Sequence, residues 1–274
     1  MKNTLRCNGE LVTINGHNIH VYRDGKADAP IIIFMSGHCT IAPVYDFKVL
    51  YEKLLSDFKV IVIEKFGYGY SDIFDSPCDI DTLVSVQRQA LAALGEEGPY
   101  ILAPHSMSGI EAIRWKQKFP DEVAAIIGID MATPLSFSVW TDEAMQKTVR
   151  LMKVLRGLKL ASMLSSVSNL SLTDDEFEQH KLLKKRNTFN ICCINEAKEV
   201  LQNARVVGED GDIQCPMLMF SSNGEDQEKD WVVNQEKFAS NMEARLISYD
   251  CSHYIHHFKS DEMHKEILEF VTSL

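Results

Sequence analysis

No apolar run in this chain approaches the roughly 20 residues that a membrane-crossing helix needs, so helical membrane insertion is not expected. Positive charge is in deficit. Lys and Arg number 28 against 39 Asp and Glu, for a net charge of −11. Nucleic acid and anionic membrane both require a basic surface, and neither is expected as a partner. Cysteine pattern is also missing: Cys7, Cys39, Cys78, Cys192, Cys193, Cys215 and Cys251 are odd in number, scattered, and without Cys-x-x-Cys spacing. That suits reduced thiols in a cytoplasm better than a disulfide framework or a zinc site. The vicinal Cys192-Cys193 reads as two small apolar residues on a packed helix. No apolar stretch follows the cations Lys2 and Arg6, so a secretion signal is not expected and the expected location is cytoplasmic. Internal repeats and low-complexity segments are absent as well.

What is present is an ordinary globular composition, 45% hydrophobic and 24% charged over 274 residues. That is enough for one compact α/β domain carrying an insertion. Leu11–Ile14, Asn15-Gly16 and Ile19–Tyr22 predict a hairpin, because Asn-Gly supplies the positive φ of a tight turn. Ile31–Met35 and Val60–Ile63 are continuous apolar runs, as in strands covered on both faces. Between them, Tyr45 to Ser56 has helical spacing. Asp81 or Thr82 can cap a helix to Leu94, stopped by Gly95. A strand at Tyr100–Ala103, a helix ending at Pro120 and a strand at Ala124–Ile129 follow. This alternation predicts a twisted parallel sheet flanked by helices.

The alternation stops near Thr133-Pro134 and resumes at Met217–Phe220. The residues between read as helices without a strand, one of them opened by the capping box of Thr173 and Glu176. Lys184-Lys185-Arg186 reads as a solvated face. A helix around Asp230–Asn241, a strand at Arg245–Tyr249 and a last helix from Asp261 to Leu274 complete the chain.

The most informative segment runs from Ile101 to Gly109. A strand breaks at Pro104, Ser106 follows, and the small residues Ser108 and Gly109 open a helix. A chain makes a sharp strand-to-helix turn with a nucleophilic hydroxyl at its tip in this way. The usual form is Gly-x-Ser-x-Gly; here Pro104 and Ser108 stand for the two glycines. Ligands of an open parallel sheet bind beyond the carboxyl ends of the strands. The polar residues at those ends are Ser36 to Cys39, Glu64 to Gly67, Ser106, Asp130, Asn223 to Asp226, and Ser252-His253. They include a serine, acids and a histidine in the order Ser…acid…His, the parts of a nucleophile–base–orienter relay. Serine needs an imidazole to take its proton, and the imidazole needs a carboxylate to fix its tautomer.

These residues resemble the α/β-hydrolase superfamily along nearly the whole chain. The similarity is to its lid-bearing branch of small esterases, proline iminopeptidases, haloalkane dehalogenases and epoxide hydrolases. Phe34 to His38 stands where that family has a His-Gly-x oxyanion turn, with Ser36 for the usual His. Glu64 to Asp72 is similar to its Asp-x-x-Gly-x-Gly-x-Ser loop, with Glu64 for Asp. Pro104 to Gly109 matches the nucleophile elbow, and Cys251 to Tyr254 matches its Gly-His-Phe/Tyr.

The resemblance implies Ser106 as nucleophile, which argues against dehalogenase or epoxide hydrolase chemistry, since those use aspartate there. It implies His253 as general base and then acid, with His256 and His257 decorating the start of the last helix and His105 packed under the elbow. Backbone N–H groups of His38 and Met107 would form the oxyanion hole. Three acids remain open. Asp226 comes first, in the loop where the family keeps its acid; Asp130 occupies the alternative place after the strand Ala124–Ile129; Glu225 is third. No metal and no organic cofactor are implied. The expected organisation is a core of residues 1–133 and 211–274 with a helical lid over 134–210. The expected activity is a carboxylesterase acting on small or medium acyl esters through an acyl-enzyme. A proline iminopeptidase-like aminopeptidase is the first alternative, with Asp174, Asp175, Glu176 and Glu178 holding an amine. Cofactor-free lyase or perhydrolase chemistry, and a small-molecule receptor or scaffold with little turnover, are the others. The partner is a small-molecule ester or amide, and the oligomeric state is left open.

Overall fold

The computed structural model describes residues 4–160 and 171–274. One eight-stranded sheet organises them, with strands β1 (Glu10–Ile14), β2 (His17–Gly25), β3 (Ile31–Met35), β4 (Lys59–Glu64), β5 (Tyr100–Pro104), β6 (Val123–Ile129), β7 (Met217–Ser221) and β8 (Arg245–Ser248). Their spatial order is β1-β2-β4-β3-β5-β6-β7-β8. β1 and β2 pair antiparallel, as do β2 and β4, and every other pairing is parallel. The β1–β2 turn is made by Asn15 and Gly16, with φ of 51° and 83°, the left-handed pair a two-residue hairpin requires.

The continuous apolar runs have a direct cause. Ile33, Met35, Ile61 and Ile63 face one hydrophobic cluster, with Ile110, Ile113 and Trp115 packed there. Ile32, Phe34, Val60 and Val62 face another, with Leu50, Leu54, Met263 and Ile267. A strand whose successive side chains both enter a core has no polar face to show. Helices Ile80–Ala93 and Ser108–Lys118 lie on the first side, and Lys48–Leu54 and Ile255–Thr272 on the second.

Several local expectations shift. The helix expected over Tyr45–Ser56 divides at Phe47 into Pro43–Asp46 and Lys48–Leu54. The helix Ile80–Ala93 is capped by Asp79, whose carboxylate accepts from Thr82 N–H at 2.9 Å, and not by Asp81 or Thr82. The last helix begins at Ile255, ahead of Asp261, and bends at Lys259 (φ −126°, ψ 22°). Asp261 resembles an N-cap only because the bend interrupts the helix just before it.

Among the described residues of 134–210 there is no strand. A short 3-10 turn (Pro134–Phe137) leads to helices Asp142–Gly157, Asp174–Asn187 and Ile191–Glu209. Residues 161–170 of the expected lid lie outside the described residues. Thr173 caps its helix reciprocally with Glu176: Glu176 Oε2 accepts from Thr173 N–H at 2.8 Å, and Thr173 Oγ1 accepts from Glu176 N–H at 3.3 Å. Cys192 and Cys193 are buried on the helix Ile191–Glu209. Lys185 is exposed, but Arg186 is not part of a merely solvated face: its guanidinium donates to Gly69 O at 2.9 Å and Ser71 O at 2.7 Å.

Candidate active site

β5 ends at Pro104 and the next helix starts at Ser108, so the turn has almost no length. Ser106 takes the strain, with a left-handed φ of 54°. Its neighbours hold it there. Ser106 O accepts from Ala132 N–H at 2.7 Å, and Ser108 Oγ lies 2.7 Å from Met35 O. A Cβ at Gly109 would meet Ala132 O at 2.0 Å, and one at Gly37 would meet Ser106 Cβ at 2.7 Å. Both glycines are there for close approach, Gly37 bringing the loop after β3 against the turn at Ser106. Ser108, in place of the second glycine of the usual pattern, is fully buried and ties the turn to β3.

His253 follows β8. Its Nδ1–H donates to Asp130 Oδ2 at 2.6 Å. Asp130 is fully buried at the end of β6, with a left-handed φ of 44° that turns its side chain toward the histidine. Its other oxygen, Oδ1, accepts from Ser222 N–H (2.9 Å), Trp231 Nε1–H (3.0 Å) and Gln235 Nε2–H (2.9 Å). Burial by itself would raise the Asp130 carboxyl, but the hydrogen bond and charge of His253, with the Ser222 and Trp231 donors, outweigh it and hold the group below its ordinary value. The carboxylate is thus kept ionised and fixes the proton of His253 on Nδ1, leaving Nε2 as the basic nitrogen.

The structure separates the three candidate acids. Asp226, favoured by its loop, is exposed and accepts from the backbone N–H of His253 at 3.2 and 3.4 Å, leaving the ring to Asp130. The loop after β7 curls on itself through Asn223, which bonds Cys251 O and Glu225 N–H, so Asp226 meets the chain of His253 and not its side chain. Glu225 is exposed and has no contact with His253 among the described hydrogen bonds.

His105 is buried beside the pair, its ring centroid 4.6 Å from that of His253 and 5.1 Å from that of His256. Its Nε2–H donates to His253 O at 3.3 Å. Burial, then the neighbouring imidazoles, push its pKa well down and keep it neutral. The ring is a packing element under the elbow. Ser106, the residue after it, borders a cavity of about 220 Å³ that His38, Met107, Phe137, Trp140, Val200 and Trp231 also line. Among the described residues neither Ser106 Oγ nor His253 Nε2 has a hydrogen-bond partner. Contacts of that kind often close only on substrate. The backbone N–H groups of His38 and Met107 likewise find no acceptor among the described residues.

The loop bearing His38 has its own anchors, which sequence reading did not find. His38 Nε2–H donates to Cys193 O at 2.8 Å. Cys39, at a left-handed φ of 59°, donates its N–H to Tyr68 Oη at 3.0 Å. Tyr68 in turn donates to Glu196, which is shared with Lys65, and Lys65 also donates to Glu111 at 2.6 Å. A buried ion cluster therefore joins the loop bearing His38 to the helix Ile191–Glu209. Trp231 and Gln235, which position Asp130, were also missed; their i, i+4 spacing on one helix was the available signal.

One group of three side chains among the described residues brings metal-type ligand atoms together: Asp46, His256 and His257, within 4.8 Å. The carboxylate of Asp46 is hydrogen-bonded to His256 Nε2 at 3.0 Å and paired with His257 Nε2 at 3.2 Å, which accounts for the arrangement.

No protein-family model matches the sequence. An uncharacterized protein of Bacillus subtilis (strain 168), YbdG, is 29% identical over 282 residues, covering 97% of this chain and 86% of that protein. Among solved structures, epoxide hydrolase A from Mycobacterium thermoresistibile superposes with a TM-score of 0.73 at 14% identity, over 97% of this chain and 98% of that one. The enol-lactonase from Burkholderia xenovorans LB400 superposes with a TM-score of 0.67 at 18% identity, over 96% and 100%. At such identity these likenesses concern the fold.

Proposed function

We propose that this chain, which has the α/β-hydrolase fold, is a serine hydrolase that cleaves carboxylic esters of small or medium acyl groups through an acyl-enzyme. One observation carries the reading. A histidine clamped at Nδ1 by a buried carboxylate packs on His105, the residue before a strained serine, and that serine borders a cavity also lined by His38 and Met107, whose N–H groups find no acceptor among the described residues. In the proposed reaction Ser106 Oγ attacks the ester carbonyl while His253 Nε2 takes the hydroxyl proton. Asp130 stabilises the imidazolium, and the N–H groups of His38 and Met107 receive the charge developing on the carbonyl oxygen. His253 then gives the proton to the leaving alcohol. Water, activated by the same nitrogen, attacks the acyl-enzyme and releases the acid and Ser106.

The apolar lining and modest volume of the cavity favour a short, uncharged acyl chain. Residues 134–210 are proposed as its cap, since Phe137, Trp140, Met145, Ala197 and Val200 come from them. Serine at the turn favours acyl transfer over the alkyl-enzyme chemistry of dehalogenases. The aminopeptidase alternative gains no support from its four acids. Asp175 pairs with Arg6, Glu176 with Lys48 and Glu178 with Lys181, and none of the four, Asp174 included, lines the cavity. A fluorophosphonate should label wild type at Ser106 and leave Ser106→Ala unmarked. A p-nitrophenyl ester series should peak at short chains and exceed a prolyl arylamide. Absence of both labelling and ester turnover would return the fold to the receptor reading.

A further inference from the structure

The helix Asp142–Gly157 has two apolar sides. On one, Val149 and Met152 are buried, and Met145 and Thr148 reach the cavity. On the other, Leu151, Val154 and Leu158 are 58%, 55% and 62% exposed. At about 100° per residue these three fall within a sector of about 60°. On the same pitch Lys147 falls within that sector, Arg150 beside it and Lys153 at its flank, while Arg156 and Lys159 fall toward the buried side; all five are exposed, and Lys147 pairs with Glu143 at 2.9 Å. Arg150, Lys153 and Lys159 have no ion-pair partner among the described residues. Arg156 donates to Arg186 O at 3.1 Å and Thr188 O at 2.8 Å, which brings the end of the helix Asp174–Asn187, with Lys184 and Lys185, alongside. An aliphatic stripe flanked by the unpaired cations Arg150 and Lys153 thus stands on a chain whose net charge is −11.

We propose that this face docks the protein on an anionic lipid surface. Exposed aliphatic side chains edged by Lys and Arg are the composition of a helix that lies in a membrane interface. At physiological salt, screening over about 8 Å lets the local patch act independently of the acidic remainder and turns this face toward the bilayer. A second copy is disfavoured: a two-fold contact would set the Arg150 and Lys153 row of one copy against that of the other. A protein groove is also disfavoured, since the stripe offers no aromatic anchor of the kind that dominates protein interfaces. Docking there would hold the cavity's cap against the lipid, which is how an amphiphilic ester would reach Ser106 if the hydrolase reading holds. The docking itself is independent of that reading.

The test is co-sedimentation of the full chain with vesicles of phosphatidylcholine alone or mixed with phosphatidylglycerol, without substrate. Binding is expected only to the mixed vesicles, and to fall as salt rises. Each Lys or Arg near such a surface contributes roughly fivefold in affinity, so Arg150→Gln with Lys153→Gln should weaken binding about 25-fold. Leu151→Ser with Leu158→Ser should weaken it at low salt as well, by roughly tenfold or more, because apolar burial is not screened. All four positions are exposed and outside the cavity, so helical content and turnover of a soluble ester should stay at wild-type level. Equal binding to neutral vesicles, or none to either, overturns the proposal. So does a dimer in solution that the two serine substitutions dissociate. Binding of polyglutamate as tight as that of mixed vesicles, with both leucine substitutions silent, would assign the face to an acidic protein and end the lipid proposal.

Discussion

Of the buried histidine–carboxylate pairs among the described residues, His20–Glu64 and His253–Asp130 bear comparison, and only the second is proposed for chemistry. His20 Nδ1 is 2.9 Å from Glu64 Oε2, and His253 Nδ1 is 2.6 Å from Asp130 Oδ2. Each carboxylate is fully buried and filled by further donors: Val44 N–H at 3.1 Å and Tyr70 N–H at 2.7 Å on Glu64, and Ser222, Trp231 and Gln235 on Asp130. The difference lies at the far nitrogen. His20 Nε2 is sealed and without a partner, close to Gly9, where a Cβ would stand 2.4 Å away. His253 keeps 9% of its side chain exposed, beside the turn that carries Ser106. Glu64 instead fixes a loop, and Gly69, at φ 46°, is the only residue type that fits against its carboxylate, since a Cβ there would overlap it. A histidine paired with a carboxylate becomes a base only where its second nitrogen faces open space.

The largest effect should separate the two acids beside His253. Asp130→Asn is expected to lower kcat on the order of 10⁴-fold, by losing the anion that fixes the tautomer, whereas Asp226→Asn should stay within a few-fold. Comparable losses in both variants would break the assignment. Glu64→Gln should do the opposite of Asp130→Asn. Removing one partner of its buried network should cost about 3 kcal/mol in urea unfolding, while kcat per folded molecule changes less than about threefold. A catalytic loss there as large as at Asp130 would erase the distinction between the pairs.

A third, smaller effect is in acid. The Asp130 carboxyl titrates lower folded than unfolded, so its stabilisation is present above the unfolded value and lost as pH falls through the folded one. Wild type should therefore lose unfolding free energy progressively below about pH 4, the ordinary aspartate range, and Asp130→Asn should show a shallower acid slope. Equal slopes would mean that Asp130 is not held ionised. The smallest effect tests whether the Glu64 loop and the site are independent. Tyr68 lies in that loop and holds Cys39 N–H next to His38. Tyr68→Phe, which removes the hydrogen bonds to Cys39 N–H and Glu196, should lower kcat by about tenfold or less and leave KM unchanged. A shift in KM alone would place Tyr68 in substrate binding.

Much of this was legible along the chain. Ile31–Met35 was bounded to the residue, and β4 to β7 to within one residue or so at each end, because a doubly covered strand writes burial into every position. The elbow at Ser106 was readable despite Pro104 and Ser108, since a turn this tight is enforced by residues two away. The start of the last helix was not, because Tyr254 offers no side-chain cap and the bend at Lys259 mimics a boundary. Net charge averages over the surface and carries no record of how the cations of the helix Asp142–Gly157 are placed around it.

By itself the sequence determined the alternation of strands and helices and the strained serine turn, both set by side chains within a few residues of one another. Which carboxylate serves His253 was decided by the tertiary structure alone. β6 and β7 are neighbours in the sheet, so Asp130 and Asp226, far apart along the chain, end beside the same histidine. Strands less than about 5 Å apart leave that choice to backbone angle and loop curl, and spacing in sequence carries no record of either.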